Sequence, residues 1–308
     1  MSQRGVVLEG TGGVWRVHTQ AGDIVDASLR GRLKQDEGRK LAVGDDVSVA
    51  RDTRDATGTG SWAIEAIHER RSQLARRAPG ARAERIVIAN VDQVIVVFAF
   101  VKPEPHAKMI DRFLVIAEAN DIAARLVLNK CELVDMETAR TFAAPYERAG
   151  YPVHFTSVKA RTGLDELHDA MHNRVSALTG PSGVGKSSLL NAMFPDSELR
   201  VAEISESVNK GRHTTVGAKL LPLPDGGFVA DTPGLREVGL WGIEATQVDR
   251  CFPEFREYLG ECRFQDCAHS AEPSCRVRDA VKSGDISADR HESYLKLRAE
   301  LTENAKPY

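Results

Sequence analysis

The sequence predicts a multidomain chain in three parts. A small antiparallel β-barrel comes first, an α/β domain on a mostly parallel sheet follows, and a mainly helical segment with a cluster of metal-ligand residues ends the chain. Three observations carry this reading. Short alternating segments separated by Gly and Asp turns occupy about the first 70 residues. From about residue 86, apolar strand runs alternate with helical stretches, and beyond about residue 242 the chain turns helical and charged around a cysteine-rich stretch. The expected boundaries are 1–75, 76–242 and 243–308.

The first part reads as five strands: "GVVLEG", "VWRVHT", "DIVDASLRGRL", "DDVSVAR" and "SWAIEAIHE". Gly12-Gly13, Gly22-Asp23, Gly44-Asp45 and the loop "DTRDATGTG" separate them. Five short strands in so few residues match the strand count of an OB-type barrel. Such barrels often bind oligonucleotides, although fold alone does not assign that role. Between barrel and core, Arg70, Arg71, Arg76, Arg77, Arg82 and Arg85 fall within sixteen residues, opposed only by Glu84. That run reads either as a solvated linker face or as a phosphate-contacting patch.

In the second part "DQVIVVFAF" precedes the helical "HAKMIDRFLVIAEAN", and "ARLVLNK" precedes "METARTFAAPYERAG". The pattern repeats with "YPVHFTS" before "GLDELHDAMH" and "VSALTG" before "KSSLLNAMF". Such alternation predicts a parallel sheet with helices on both faces. "AKLLPLP" and "GGFVADTPG" add two strands, expected as a hairpin through Asp225-Gly226-Gly227.

Composition sets outer limits. With 42% hydrophobic and 28% charged residues the chain is of ordinary soluble character, and its formal net charge of −3 gives no global argument for nucleic acid. The longest apolar run, Val94–Val101, is short of the roughly 20 residues that span a bilayer. The N-terminus "MSQRGVVLEG" lacks an apolar signal core, and five cysteines is an odd number. A reducing cytoplasm and no membrane partner are expected.

Chemistry concentrates at "GPSGVGKSS", comprising Gly180, Pro181, Ser182, Gly183, Val184, Gly185, Lys186, Ser187 and Ser188. It fits G-x-x-x-x-G-K-[ST] between an apolar strand and an amphipathic helix. Glycines let successive backbone N–H groups turn inward around phosphate oxygens. Lys186 places a charge on the β- and γ-phosphates, and Ser187 offers a hydroxyl to Mg²⁺. The following helix N-terminus adds its own preference for anions.

About 45 residues later "DTPG" supplies Asp231 and Gly234 at the end of a strand, matching the D-x-x-G that contacts Mg²⁺ and the γ-phosphate. Between them "GRHTTVG" contains Thr214 and Thr215, of the kind that order a first switch loop, with Thr215 a second Mg²⁺ ligand. Upstream, "NKCE" (Asn129, Lys130, Cys131, Glu132) resembles the guanine-reading N-K-x-D. There a carboxylate accepts two hydrogen bonds from the base, and Glu132 replaces the usual Asp. "TSVK", with Ser157, sits where a backing S-A-K loop is expected, and Val158 replaces its Ala. GTP is therefore the expected substrate.

In the third part Cys262, Cys267, His269 and Cys275 form C-x4-C-x-H-x5-C. Three thiolates and an imidazole suit one tetrahedral Zn²⁺. With all four positions filled by protein, the site is expected to be structural. Cys131 and Cys251 lie outside the cluster and read as spare thiols.

These motifs run base-reading, base-backing, phosphate loop, first switch, second switch. A small GTPase ordinarily begins with the phosphate loop, so this order is that of a circularly permuted GTPase. With the barrel and the cysteine cluster it closely resembles the ribosome small-subunit-dependent GTPase A family. The resemblance covers essentially the whole chain, through "LRGRL…VGDDV", "ANVDQVIVVFA", "LTGPSGVGKSSLLN", "GRHTT" and "DTPG".

It implies a GTP hydrolase that binds the small ribosomal subunit and its rRNA late in assembly, is stimulated by it, and carries one zinc. A monomer is expected. Residue Leu235 stands where many GTPases place a water-orienting Gln. His213 is the internal candidate for that role, and in the family the corresponding histidine has it. Two other readings are a GTP-gated signalling switch without a ribosome and an RNA-binding scaffold with a vestigial nucleotide site. Because the second switch runs out toward the third part, nucleotide state is expected to reorient that part.

Overall fold

The computed structural model describes residues 2–31, 33, 40–52, 61–77, 84–195, 218–231 and 243–304, without the side chains of residues 76, 77, 84, 85 and 231. The chain divides into two compact units. One comprises Met1–Asp92, Met171–Leu178 and Phe194–Val238, the other Gln93–Ala170, Thr179–Met193 and Gly239–Tyr308.

In the first unit, strands β1 (Gln3–Thr11), β2 (Val14–Thr19), β3 (Ile24–Leu29), β4 (Asp46–Arg51) and β5 (Trp62–Ile67) close a barrel in the order β1-β2-β3-β5-β4. All pairings are antiparallel except β3 with β5, and β4 returns to β1 to seal the edge. The period-2 pattern explains the filling. Val7, Val17, Ala27, Val47, Val49 and Ile64 point inward and are buried. Gly44 turns the chain into β4 at φ +88°, and a Cβ there would lie 2.1 Å from the Ala89 carbonyl oxygen.

The arginine run is not a bare linker. β6 (Gln73–Arg77) pairs antiparallel with β7 (Glu84–Ala89), burying Leu74 and Ile88. The charges of "QLARR" and "ERIVIA" conceal this short alternation in the sequence.

The α/β core has a six-stranded sheet in the order β10-β9-β8-β11-β13-β12. Its strands are β8 (Gln93–Ala99), β9 (Ala123–Asn129), β10 (Val153–Thr156), β11 (Val175–Thr179), β12 (Lys219–Pro222) and β13 (Phe228–Asp231). Every residue of β8 and β11 is buried, as parallel strands covered on both faces require. β12 and β13 form the expected antiparallel hairpin. The helices are α1 (Ala107–Ala119), α2 (Met136–Arg148), α3 (Leu164–Met171) and α4 (Lys186–Met193). Asp135 caps α2 by accepting the Thr138 N–H at 2.8 Å.

The C-terminal segment contains 3₁₀ turns at Val248–Cys251 and Pro253–Tyr258, then α5 (Arg276–Ser283) and α6 (Ala288–Asn304). α6 is tied to α1 around Arg290, whose side chain is 2% exposed. Its guanidinium forks onto Glu254 at 2.7 and 3.0 Å, donates to Asp111 at 2.6 Å, and lies 4.7 Å from the Phe252 ring centroid. Arg112 adds a bidentate pair with Glu300 at 2.7 and 2.8 Å, and Arg256 pairs with Glu118. Among the described residues, no helix is long and apolar enough to cross a membrane.

Candidate nucleotide-binding site and metal centre

Among the described residues, the motifs at Asn129, Ser157, Gly180 and Asp231 begin where strands end. Asn129 closes β9 and lies in register with Ala99 of β8 and Thr156 of β10. Asp231 closes β13 opposite Leu178 of β11, two residues before the phosphate loop. Ligand crevices of open α/β sheets lie at these carboxyl ends.

Two glycines of the phosphate loop occupy positions that no side chain fits. Gly180 has φ +131°, and a Cβ on it would lie 2.0 Å from the Val97 carbonyl oxygen. Gly185 has φ +99°, and its Cβ would fall 2.4 Å from Asn129 Nδ2. Val184 is fully buried, while Ser182, Gly183 and Ser188 are exposed and Pro181, Gly185, Lys186 and Ser187 are half-buried. Lys186 Nζ donates to the Gly180 and Pro181 carbonyls at 2.8 and 2.7 Å. The Leu189 N–H donates to the Gly185 carbonyl at 2.9 Å, so α4 starts directly from the loop.

"NKCE" grips this loop from far away in sequence. Asn129 Nδ2 donates to the Val184 carbonyl at 2.8 Å, and Asn129 Oδ1 accepts from Thr156 Oγ1 at 3.1 Å. Lys130, left-handed at φ 60°, donates to the carbonyls of Gly183, Lys102 and Val101 at 2.9, 2.8 and 3.3 Å. Cys131 is buried in the 3₁₀ turn Cys131–Leu133, whereas the Glu132 carboxylate is exposed. Burial, then the Glu132 charge, hold the Cys131 thiol above its ordinary pKa, which keeps it neutral. Ser157 is fully buried, and its Oγ accepts the Ala160 N–H at 2.9 Å. The backbone thus brings Asn129, Lys130, Thr156 and Gly180–Lys186 together. His213, Thr214, Thr215 and Gly234 lie outside the described residues, as does the side chain of Asp231.

Two of the run's arginines are committed within the protein. Arg70 sends Nε and an NH2 group to the fully buried Asp45 carboxylate at 2.6 and 2.8 Å. Arg71 pairs with Asp92 at 2.6 Å and stays 62% exposed. Arg70 therefore serves the barrel's closing turn and is not free to meet phosphate. Nothing in the spacing of the run distinguishes it from its neighbours.

The metal cluster passes a geometric test. Its four donor atoms all lie within 4.8 Å of one another. His269 Nδ1 is 3.6 Å from Cys262 Sγ and 3.3 Å from Cys275 Sγ, and those two sulfurs are 3.9 Å apart. Tetrahedral zinc with ordinary Zn–S and Zn–N lengths needs edges of about 3.8 Å between sulfurs and about 3.6 Å from sulfur to nitrogen. Burial raises the Cys262 thiol's pKa, but the Arg276 and Val277 backbone N–H groups at the start of α5 bring it below its ordinary value. Burial and neighbouring sulfurs push Cys267 up to about 12, and Cys275 is raised as well. A dication relieves that crowding. The residues fit one structural Zn²⁺.

A sequence model of the RsgA GTPase family matches residues 67–241. A small ribosomal subunit biogenesis GTPase RsgA from Gemmatimonas aurantiaca is 60% identical over 303 residues, covering 97% of this chain and 98% of the relative. One from Shewanella oneidensis is 39% identical over 306 residues, covering 98% and 84%. Among solved structures, YjeQ from Thermotoga maritima superposes with a TM-score of 0.81 at 34% identity, over the whole of both chains. YloQ, a circularly permuted GTPase, gives 0.78 at 27% identity, covering 100% of this chain and 98% of the other.

Proposed function

The chain belongs to the RsgA GTPase family, and from that premise we propose that it hydrolyses GTP while maturing the small ribosomal subunit. The observation that carries the nucleotide half is the grip of Asn129 and Lys130 on the Val184 and Gly183 carbonyls, 55 and 53 residues away. It joins a base-reading motif to a phosphate loop in permuted order. The names of the relatives supply the ribosomal half.

Within this reading, residues 1–75, 76–242 and 243–308 all contact the small subunit, and residues 76–242 are also the catalytic core. Glu132 accepts from guanine, and Ser157 backs the base. Gly180–Ser188 cradle the phosphates with Lys186 as their countercharge. Ser187 and Thr215 hold the Mg²⁺ that arrives with GTP, while Asp231 and Gly234 meet the γ-phosphate side. His213 orients the attacking water, since Leu235 cannot. Cys262, Cys267, His269 and Cys275 hold a zinc that shapes the C-terminal segment. The protein works as a cytoplasmic monomer.

The deciding experiment measures GTP turnover with and without purified small subunits. Strong stimulation is expected. Turnover that ignores the subunit points instead to a general switch, and none in either case to a scaffold.

A further inference from the structure

The zinc ligand His269 has two ring nitrogens with different surroundings. Nδ1 faces the sulfurs of Cys262 and Cys275. On the opposite side, Nε2 stands 3.6 Å from Oδ2 of Asp249. The imidazole is 4% exposed and the Asp249 side chain 17%, so water has little access to either. The other carboxylate oxygen is already occupied: Asp249 Oδ1 accepts the Arg250 N–H at 2.8 Å. That bond turns Oδ2 toward the ring.

The backbone on both sides is fixed independently. Asp249 lies in the 3₁₀ turn Val248–Cys251, where Val248 is fully buried. His269 holds a left-handed φ of 56°, its carbonyl accepts from His291 Nε2 at 2.8 Å, and Glu272 accepts the N–H groups of Ala268, Ser270 and Ala271 at 2.9, 2.8 and 3.0 Å. The ring also packs among Phe255 and Tyr294. Neither partner can turn far from the other.

We propose that Asp249 is the outer carboxylate of the metal centre, a positioning residue that holds the proton on His269 Nε2 and leaves the Nδ1 lone pair for zinc. Carboxylates placed behind a ligating histidine fix its tautomer and raise its basicity. A neutral imidazole has one donor and one acceptor nitrogen, so fixing one fixes the other. A bound Zn²⁺ would draw electron density from the ring and make the Nε2–H a stronger donor toward Oδ2. The site thereby reaches beyond its four ligands to the 3₁₀ turn that precedes them by about a dozen residues.

The test uses the full chain and zinc alone. Zn²⁺ affinity is measured by competition with a chelating dye, and Co²⁺ substitution reports ligand geometry through its visible absorption. Asp249→Asn is nearly isosteric and keeps an acceptor for the Arg250 N–H, and it is expected to weaken zinc binding about 10- to 100-fold. Val248→Ala thins the packing of the same turn but removes no polar group, and it is expected to bind zinc within about threefold of the parent. The proposal falls if Asp249→Asn binds zinc as tightly as the parent with an unchanged Co²⁺ spectrum. It falls equally if Val248→Ala loses as much affinity as Asp249→Asn, because the effect would then belong to the fold of the turn.

Discussion

Replacing Arg290 with Met should unlock the C-terminal segment from α1. Arg290 is 2% exposed, and the two acids it binds, Asp111 and Glu254, are 0% and 9% exposed in their side chains. Solvent therefore does not screen the loss. Removing one member of such a buried network leaves uncompensated charge and costs about 3–5 kcal/mol. Met restores much of the apolar contact with Phe252, Tyr146 and Tyr151 but none of the cation–π attraction. For a unit of this size that loss corresponds to roughly 6–20 °C in Tm. Scanning calorimetry and urea unfolding of the zinc-loaded protein measure it directly. Arg290→Lys should fall between, because one ammonium cannot fork onto Glu254 while reaching Asp111.

The deficit should also depend on pH in a fixed direction. Burial holds the Asp111 carboxyl above its ordinary pKa even with Arg290 beside it, and Glu254 adds to the rise. A carboxyl raised in the folded state favours folding at low pH and loses that contribution as pH rises through the folded value. Without Arg290 the rise grows, so the Arg290→Met deficit should be smaller near pH 5 than near pH 8. A variant melting within about 2 °C of the parent at both pH values would refute the assignment of Arg290 as the lock.

Gly185→Ala combines a left-handed φ with a Cβ aimed at Asn129 Nδ2. Strain of about 1–2 kcal/mol and loss of the Asn129–Val184 bond, about 1 kcal/mol, fall on the binding-competent loop and should lower nucleotide affinity on the order of 30- to 150-fold. Titration with a fluorescent GDP analogue checks this, and near-parental affinity would mean the loop does not need that grip. His213→Ala should cut subunit-stimulated turnover by about a hundredfold or more while leaving the same titration near parental. Unchanged stimulated turnover would remove His213 from the mechanism.

What the sequence made legible follows from how local each signal is. The barrel, the alternating strands and helices, and the β12–β13 hairpin were readable because period-2 runs and Gly turns act over a few residues. The phosphate loop and the zinc ligands were readable because their chemistry demands particular residue types at fixed spacing. Arg290, Asp111 and Glu254 were not, since three charged residues scattered over about 180 positions look like surface until the fold buries them together. Arg70 misled in the opposite sense. It sits in a run that reads as one basic patch, yet Asp45, 25 residues earlier, claims it. Asp249 gave no signal at all, because an outer carboxylate has no set distance in sequence from its histidine.

Circular permutation changes which loops are covalently continuous while leaving through-space contacts in place. In this chain the connection that follows Asp231 runs into the 3₁₀ turn Val248–Cys251, which packs against α1 and α6. Read from the sequence alone, that short route suggested a C-terminal segment free to reorient with nucleotide state. The Arg290 network argues for a different division of labour. Swinging α6 and the 3₁₀ turn Val248–Cys251 away from α1 would part Arg290 from Asp111 and Arg112 from Glu300 and expose the packing between them. Coupling between sites is ordinarily worth about 1–3 kcal/mol. A nucleotide-driven change of that size would have to work against all of these contacts at once to pull α6 off α1. The C-terminal segment and α1 should therefore respond as one body. The Arg290→Met unfolding measurement bears on this too, since a loss below about 1 kcal/mol would leave the helices free to act as a lever.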